Sequence, residues 1–261
     1  MGKKESFLIS ALARQDKAIF TADDAKAIAG DDAKTLLFHL AKKKWLLQLK
    51  RGLYALVPLD IGIKGADSFI IHNFVIAANL VEPYYIGFWS AFNHYGFSDQ
   101  IPNATFIATT MARKPISILN SEYVFVQLNG KKFVGITETE IEGKKIRISD
   151  REKTIADCLD HPEYAGGIDE VARAIFFSAE EIDFAKVREY GLKMGNMTLF
   201  KRLGYILQAA GLMERYGSCL DGIILSKGYS LLDTLSPNTG IHNMRWGLVI
   251  NRDINPKRWM Y

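Results

Sequence analysis

The chain has 261 residues, 48% hydrophobic and 24% charged, with no low-complexity tract, a composition that excludes a disordered or fibrous protein. This length favours one small and one larger domain, each able to bury a core. The formal charge of +4 is unevenly placed: residues 1–60 carry 11 Lys and Arg against 7 Asp and Glu, whereas residues 61–261 carry 22 against 22.

In the first sixty residues Phe7, Leu8, Ala11 and Leu12 recur at helical spacing and predict a helix over 4–14. Ile19 and Phe20 read as a short extended step. Thr21 then offers a hydroxyl at the N-cap of a second helix, with Asp23 and Asp24 opposing the positive end of its dipole. Gly30, tolerant of positive φ, should end that helix, and Asp31 or Asp32 should cap a third one running to about Lys43. On the third helix Ala33, Leu36, Leu37, Leu40 and Ala41 share one face and should pack inward. Lys34, Thr35, Phe38 and Lys42 lie opposite, with His39 and Lys43 at the edge. An aromatic ring in a basic solvent face has a use if it meets a thymine methyl or a sugar. Residues 46–49, the turn Lys50-Arg51-Gly52 and residues 53–57 then predict a hairpin with two cations at its tip. Residues 33–59 contain six Lys and Arg and no Asp or Glu, which suits contact with a polyanion. Helix, helix, basic helix and basic hairpin is the order of a winged helix-turn-helix. The expected interface with double-stranded DNA is therefore Lys34, Thr35, Phe38, His39, Lys42, Lys43, Lys50 and Arg51. A winged helix used only for protein contact is the alternative.

Residues 61–67 read as a linker. A hydrophobic helix is expected from about Ser68 to Glu82, stopped by Pro83. The aromatic run from Pro83 to Gly96 reads as core, although Trp89 and His94 could line a pocket. Strands are expected at 105–110, 123–128, 132–139 and 144–148, helices at 150–159, 168–177, 184–193 and 197–210, and a last strand at 244–251 returning to the sheet. Residues 68–261 therefore predict an α+β domain with a mixed sheet and C-terminal helices. Its longest apolar stretch, Phe69 to Val81, is broken by His72, Asn73 and Asn79 and falls short of the roughly 18–20 residues of a spanning helix. The first residues lack a signal-peptide core, so a cytoplasmic protein without membrane contact is expected. Cys158, set in an amphipathic helix, and Cys219 are the only cysteines and suggest neither a disulfide framework nor a zinc site.

No GxSxG, Walker A, HExxH, dinucleotide fingerprint or CxxC motif is present, and the five His have no metal-ligand spacing. One cluster has hydrolytic potential. Glu138, Glu140, Glu142 and Lys144 contain the E-x-K spacing of metal-dependent nucleases, in which two acids hold a divalent ion and a Lys orients the attacking water. Alternating charge on the solvated face of a strand explains the same residues.

Several segments together resemble the AbiEi antitoxins of type IV toxin–antitoxin (abortive infection) systems, also described as transcriptional regulators. They are Arg51-Gly52-Leu53-Tyr54-Ala55-Leu56-Val57-Pro58, residues 85–96 with Gln100-Ile101-Pro102, and residues 148–160 with Pro162, Tyr164 and Gly166-Gly167. Lys201-Arg202-Leu203-Gly204-Tyr205 and Arg245-Trp246-Gly247-Leu248 complete the set. The resemblance implies a winged helix over 1–60 that binds inverted repeats in its own promoter. It implies a domain over 68–261 that counteracts a co-encoded nucleotidyltransferase-like toxin without a stable complex. It implies a regulator rather than an enzyme, with no cofactor, monomeric in solution or dimeric on DNA. Lys201, Arg202 and Arg245 are the candidate exposed cations of the antitoxin surface, with a role in surface salt bridges as the alternative. A stand-alone repressor without a toxin is the alternative.

Overall fold

The computed structural model describes residues 1–15, 17–58 and 69–260, so the expected linker at 61–67, with Asp60 and Ser68 beside it, lies outside the described residues. Two units emerge, Met1–Leu80 with Ser117–Ser121, and Val81–Ile116 with Glu122–Tyr261.

In the first unit α1 (Lys3–Arg14), β1 (Ile19–Thr21), α2 (Ala22–Ala29), α3 (Ala33–Lys42), β2 (Leu46–Lys50) and β3 (Leu53–Leu56) follow in order. Leu8, Ile9 and Leu12 of α1 pack with Phe20, Ala25, Leu36, Leu37 and Leu40, while Phe7 stays 63% exposed. Thr21 and Asp24 form a reciprocal cap at the start of α2. The Asp24 N–H donates to Thr21 Oγ1 at 3.1 Å and the Thr21 N–H to Asp24 Oδ2 at 2.8 Å. Gly30, at φ 61°, ends α2 and opens a 3₁₀ turn over Gly30–Asp32 that leads into α3. Asp32 does not cap α3 through its side chain as expected. Its own backbone is already helical, and its carboxylate turns instead to Lys4 Nζ, 2.5 Å away. β3 lies between β1 and β2, antiparallel to both, with a bulge between Gln48 and Lys50.

Beyond residue 68 the long helix expected to Glu82 is reduced to α4 (Asn73–Ala77). His72 accepts from the Phe74 N–H at 3.1 Å, and Asn79 bonds back to the Val75 carbonyl at 2.9 Å. These polar interruptions compete with helical hydrogen bonding and keep the segment short.

The second unit is built on a mixed sheet. Apart from β6 (Ile116–Ile118), which straddles the division between the units, its strands are β4 (Tyr84–Ile86), β5 (Ala104–Thr109), β7 (Ser121–Gln127), β8 (Ile136–Ile141) and β9 (Lys144–Ser149), in the order β7-β5-β4-β9-β8. The aromatic run supplies β4, antiparallel to β5 and parallel to β9, and then α5 (Phe88–His94). Tyr84, Tyr85, Phe88 and Phe92 are buried. The strand expected from Lys132 starts only at Ile136. Asn129 accepts from the Lys131 N–H at 3.0 Å and opens a 3₁₀ turn over Gly130–Lys132.

Helices α6 (Arg151–Asp160), α7 (Ile168–Ser178), α8 (Phe184–Met194) and α9 (Met197–Ala209) form the rest of the core with Ile155, Leu159, Val171, Ile175, Val187, Leu203 and Leu207. A short α10 (Met213–Tyr216) precedes β10 (Ser230–Leu231), β11 (Ile241–Asn243) and β12 (Leu248–Ile250). The last strand does not rejoin the large sheet: β12 is the centre of a separate sheet, ordered β10-β12-β11. The architecture is α+β, a winged helix-turn-helix-like unit followed by a larger unit with a mixed sheet and C-terminal helices.

Trp246 fixes that tail to α9. A Cβ on Gly204 would lie 2.1 Å from the Trp246 ring, and the indole Nε1 donates to Gln208 Oε1 at 2.8 Å. Gly204→Ala must displace a packed aromatic ring and is expected to cost about 1–3 kcal/mol. Thermal denaturation of the variant checks this, with an unshifted transition as the contrary result.

Helix α6 is buried from Glu152 to Asp160, on every side rather than on one stripe, and its free thiol Cys158 is buried with it. Lys153 and Asp157, one turn apart, form an ion pair with no exposure to solvent. Lys153 Nζ also donates to Tyr85 Oη at 3.0 Å, and Tyr85 Oη donates to Asp157 Oδ2 at 2.9 Å.

Candidate nucleic-acid interface

The third helix sorts its side chains as its apolar spacing predicts. Ala33, Leu36, Leu37 and Leu40 are buried, and Lys34, Thr35, Phe38, His39 and Lys42 are exposed. The packed face holds the helix against α1 and α2 and fixes the direction of the exposed one. Phe38 is 65% exposed, with the His39 ring 5.8 Å away between centroids. Among the exposed residues of α3 there is no carboxylate.

Lys43, just beyond the helix, is placed differently. Its ammonium donates to Glu5 at 2.7 Å. That hydrogen bond, with the Gly2 N–H, holds the Glu5 carboxyl below its ordinary range. Part of the charge of Lys43 is therefore spent inside the unit, where it ties α1 to the end of α3. The wing follows at once: Lys50 ends β2 half-buried, and Arg51 is exposed in the turn before β3. Gln48, further back on β2, is also exposed. Only the two-residue alternation of the strand could have singled it out.

The cations expected on the surface of the larger unit are mostly not there. Lys201 and Arg202 are 1% and 4% exposed. Lys201 Nζ donates to the Gly228 carbonyl at 2.8 Å, and burial pushes its ammonium below the ordinary value. Arg202 donates to the carbonyls of Leu159 at 2.7 Å, Asp160 at 2.9 Å and Leu231 and Leu232 at 3.1 Å. Its guanidinium thus meets the C-terminal carbonyls of α6, the negative end of that helix. The free carbonyls of a helix end and a short strand make a buried Arg stable here, and adjacent Lys and Arg do not mark a solvent face. Arg245 alone of the three is exposed, its guanidinium 5.2 Å from the Trp246 ring centroid.

The E-x-K cluster lies on the β8–β9 hairpin. Glu138, Glu140 and Glu142 are exposed, and Glu138 pairs with Lys145 at 3.5 Å. Glu138 and Glu140 face Arg147 and Lys145 across the ladder, as in a solvated strand face. Among the described residues no three His, Cys, Asp or Glu side chains come together to hold a metal ion, and no helix is long and apolar enough to cross a membrane.

A comparison with proteins of curated function gives no match. Among solved structures, the crystal structure of RV2827C protein from Mycobacterium tuberculosis is similar, with a TM-score of 0.63 at 15% identity, over 95% of this chain and 91% of that one. At that identity the likeness speaks for the fold. Residues 8–57, which hold α2, α3, the wing and most of α1, match the family model AbiEi_4, described as "Transcriptional regulator, AbiEi antitoxin", and so support a DNA-binding role of that kind for the N-terminal unit.

Proposed function

We propose that the chain is a DNA-binding antitoxin, which represses its own promoter and counteracts a co-encoded nucleotidyltransferase-like toxin in the cytoplasm. The observation that carries this reading is the exposed basic face of α3 beside a basic hairpin, within the residues that match the family. Lys34 and Lys42 contact phosphates, Thr35, Phe38 and His39 face the base edges, and Arg51 with Lys50 reaches the flanking backbone or minor groove. Lys43 contributes less than the others because Glu5 competes for it. The DNA is an inverted repeat bound by two protomers that are monomeric in solution, so the protein symmetry mirrors the operator. Residues 1–60 serve DNA binding and residues 68–261 the antitoxin action, with Arg245 the remaining cation of the expected antitoxin surface. Neither a catalytic residue nor a cofactor is assigned.

A stand-alone repressor is the second reading, and it needs only the kind of unit that the family match covers, residues 8–57. One experiment separates the two. The full-length protein is tested for binding to its own promoter and, by co-expression, for rescue of cells from the toxin encoded beside it. Promoter binding with rescue is expected. Promoter binding without rescue makes the chain a repressor only, and absence of promoter binding overturns both readings.

A further inference from the structure

Phe38 is the exposed face's one large apolar side chain. It lies at the middle of that face, about 40° around the helix from Lys34 and about 40° from Lys42. An exposed phenyl ring gains free energy only by meeting something apolar. A second copy of the same face is a poor occupant, because a symmetric contact would set Lys34 and Lys42 of one protomer against those of the other with no acid on α3 to offset them.

The composition of the face also limits how it could read DNA. On α3 it has no Asn or Gln to grip adenine and no Arg to grip guanine through two hydrogen bonds, which leaves Lys34 and Lys42 as its only charged donors to guanine. The apolar feature of the major-groove edges is the 5-methyl group of thymine. We propose that Phe38 is a specificity-determining residue that recognises thymine through this methyl group, so that the DNA taken by the face carries a thymine at a fixed position in each half-site. The inference rests on the DNA-binding reading above. Lys34 and Lys42, on either side of the ring, hold the backbone and set the depth at which the ring meets the base.

The test removes the methyl group alone. A duplex is enriched from a random library by the full-length protein, and each of its thymines is replaced in turn by deoxyuridine, which keeps every hydrogen-bonding group. With the unaltered protein, uracil at one position per half-site is expected to weaken binding about fourfold, the worth of one buried methyl group. Phe38→Ala, which removes an exposed side chain and leaves the core intact, should bind the thymine and uracil duplexes equally. Three results would overturn the proposal while leaving DNA binding in place: no position sensitive to uracil, the same sensitivity in Phe38→Ala, or its loss in Thr35→Ser, which deletes the one methyl group on the face. Failure to enrich any duplex overturns the DNA-binding reading itself, and this proposal with it.

Discussion

Lys153→Met is expected to destabilise the larger unit by about 3–5 kcal/mol, because it leaves the Asp157 carboxylate buried without its cation. For a unit of this size that is a fall of roughly 6–20 °C in melting temperature. Lys153 and Asp157 are both sealed from solvent, and Tyr85 closes the triangle from β4, so helix and central strand share one polar centre. Burial raises the Asp157 carboxyl above its ordinary value, against the pull of Lys153 and Tyr85. The single variant therefore loses stability and gains a proton on Asp157. Replacing all three groups at once, as Lys153→Met, Asp157→Leu and Tyr85→Phe, removes every unmet hydrogen-bonding need and should recover most of the loss. A single variant that melts within a degree of the unaltered protein would show that the pair carries no such burden.

The same centre marks where the sequence stops being legible. The winged-helix unit could be read almost residue by residue, since a small three-helix core leaves each helix one buried stripe and the apolar spacing of α3 states which stripe it is. Helix α6 defeats that reasoning. Its sequence, Arg151 to Asp160, opens with three charged residues and carries five charges in ten positions as a surface helix would, yet beyond the internal Lys153–Asp157 pair its charges are matched from outside the helix. Lys186 serves Asp150 and Glu152, Lys132 serves Asp160, and Tyr85 joins Lys153 and Asp157. The partners come from three other elements, so no local pattern announces the burial. Arg202 is the same lesson in reverse, a charge whose acceptors are backbone carbonyls and leave no mark in the sequence. The exposed basic face of α3 was legible because its residues share one side of a single helix. The burial of Lys201 and Arg202 in the larger unit was not, since exposure there depends on packing between distant segments.

Lys34→Ala combined with Lys42→Ala should weaken promoter binding by roughly 50-fold at 0.1 M salt, if each ammonium neutralises one phosphate and displaces its counterions. The salt dependence is the more discriminating reading. A plot of log affinity against log salt should flatten by about 0.9 for each lost contact, or about 1.8 for the pair, and the weakening should be nearly the same on unrelated duplexes. Phe38→Ala, by contrast, should leave the slope unchanged and alter only the preference among sequences. Neither lysine has a part in the packed face of α3, so the double variant should melt with the unaltered protein. In cells it should lose repression of its promoter, and its protection against the toxin should remain if that action belongs to residues 68–261. Mobility shifts at four or five salt concentrations decide the matter. An unchanged affinity and slope would remove α3 from the DNA and leave the wing, with Arg51 at its tip, as the only contact to consider, a surface too small for a specific interface of the usual 1,000 Å² or so.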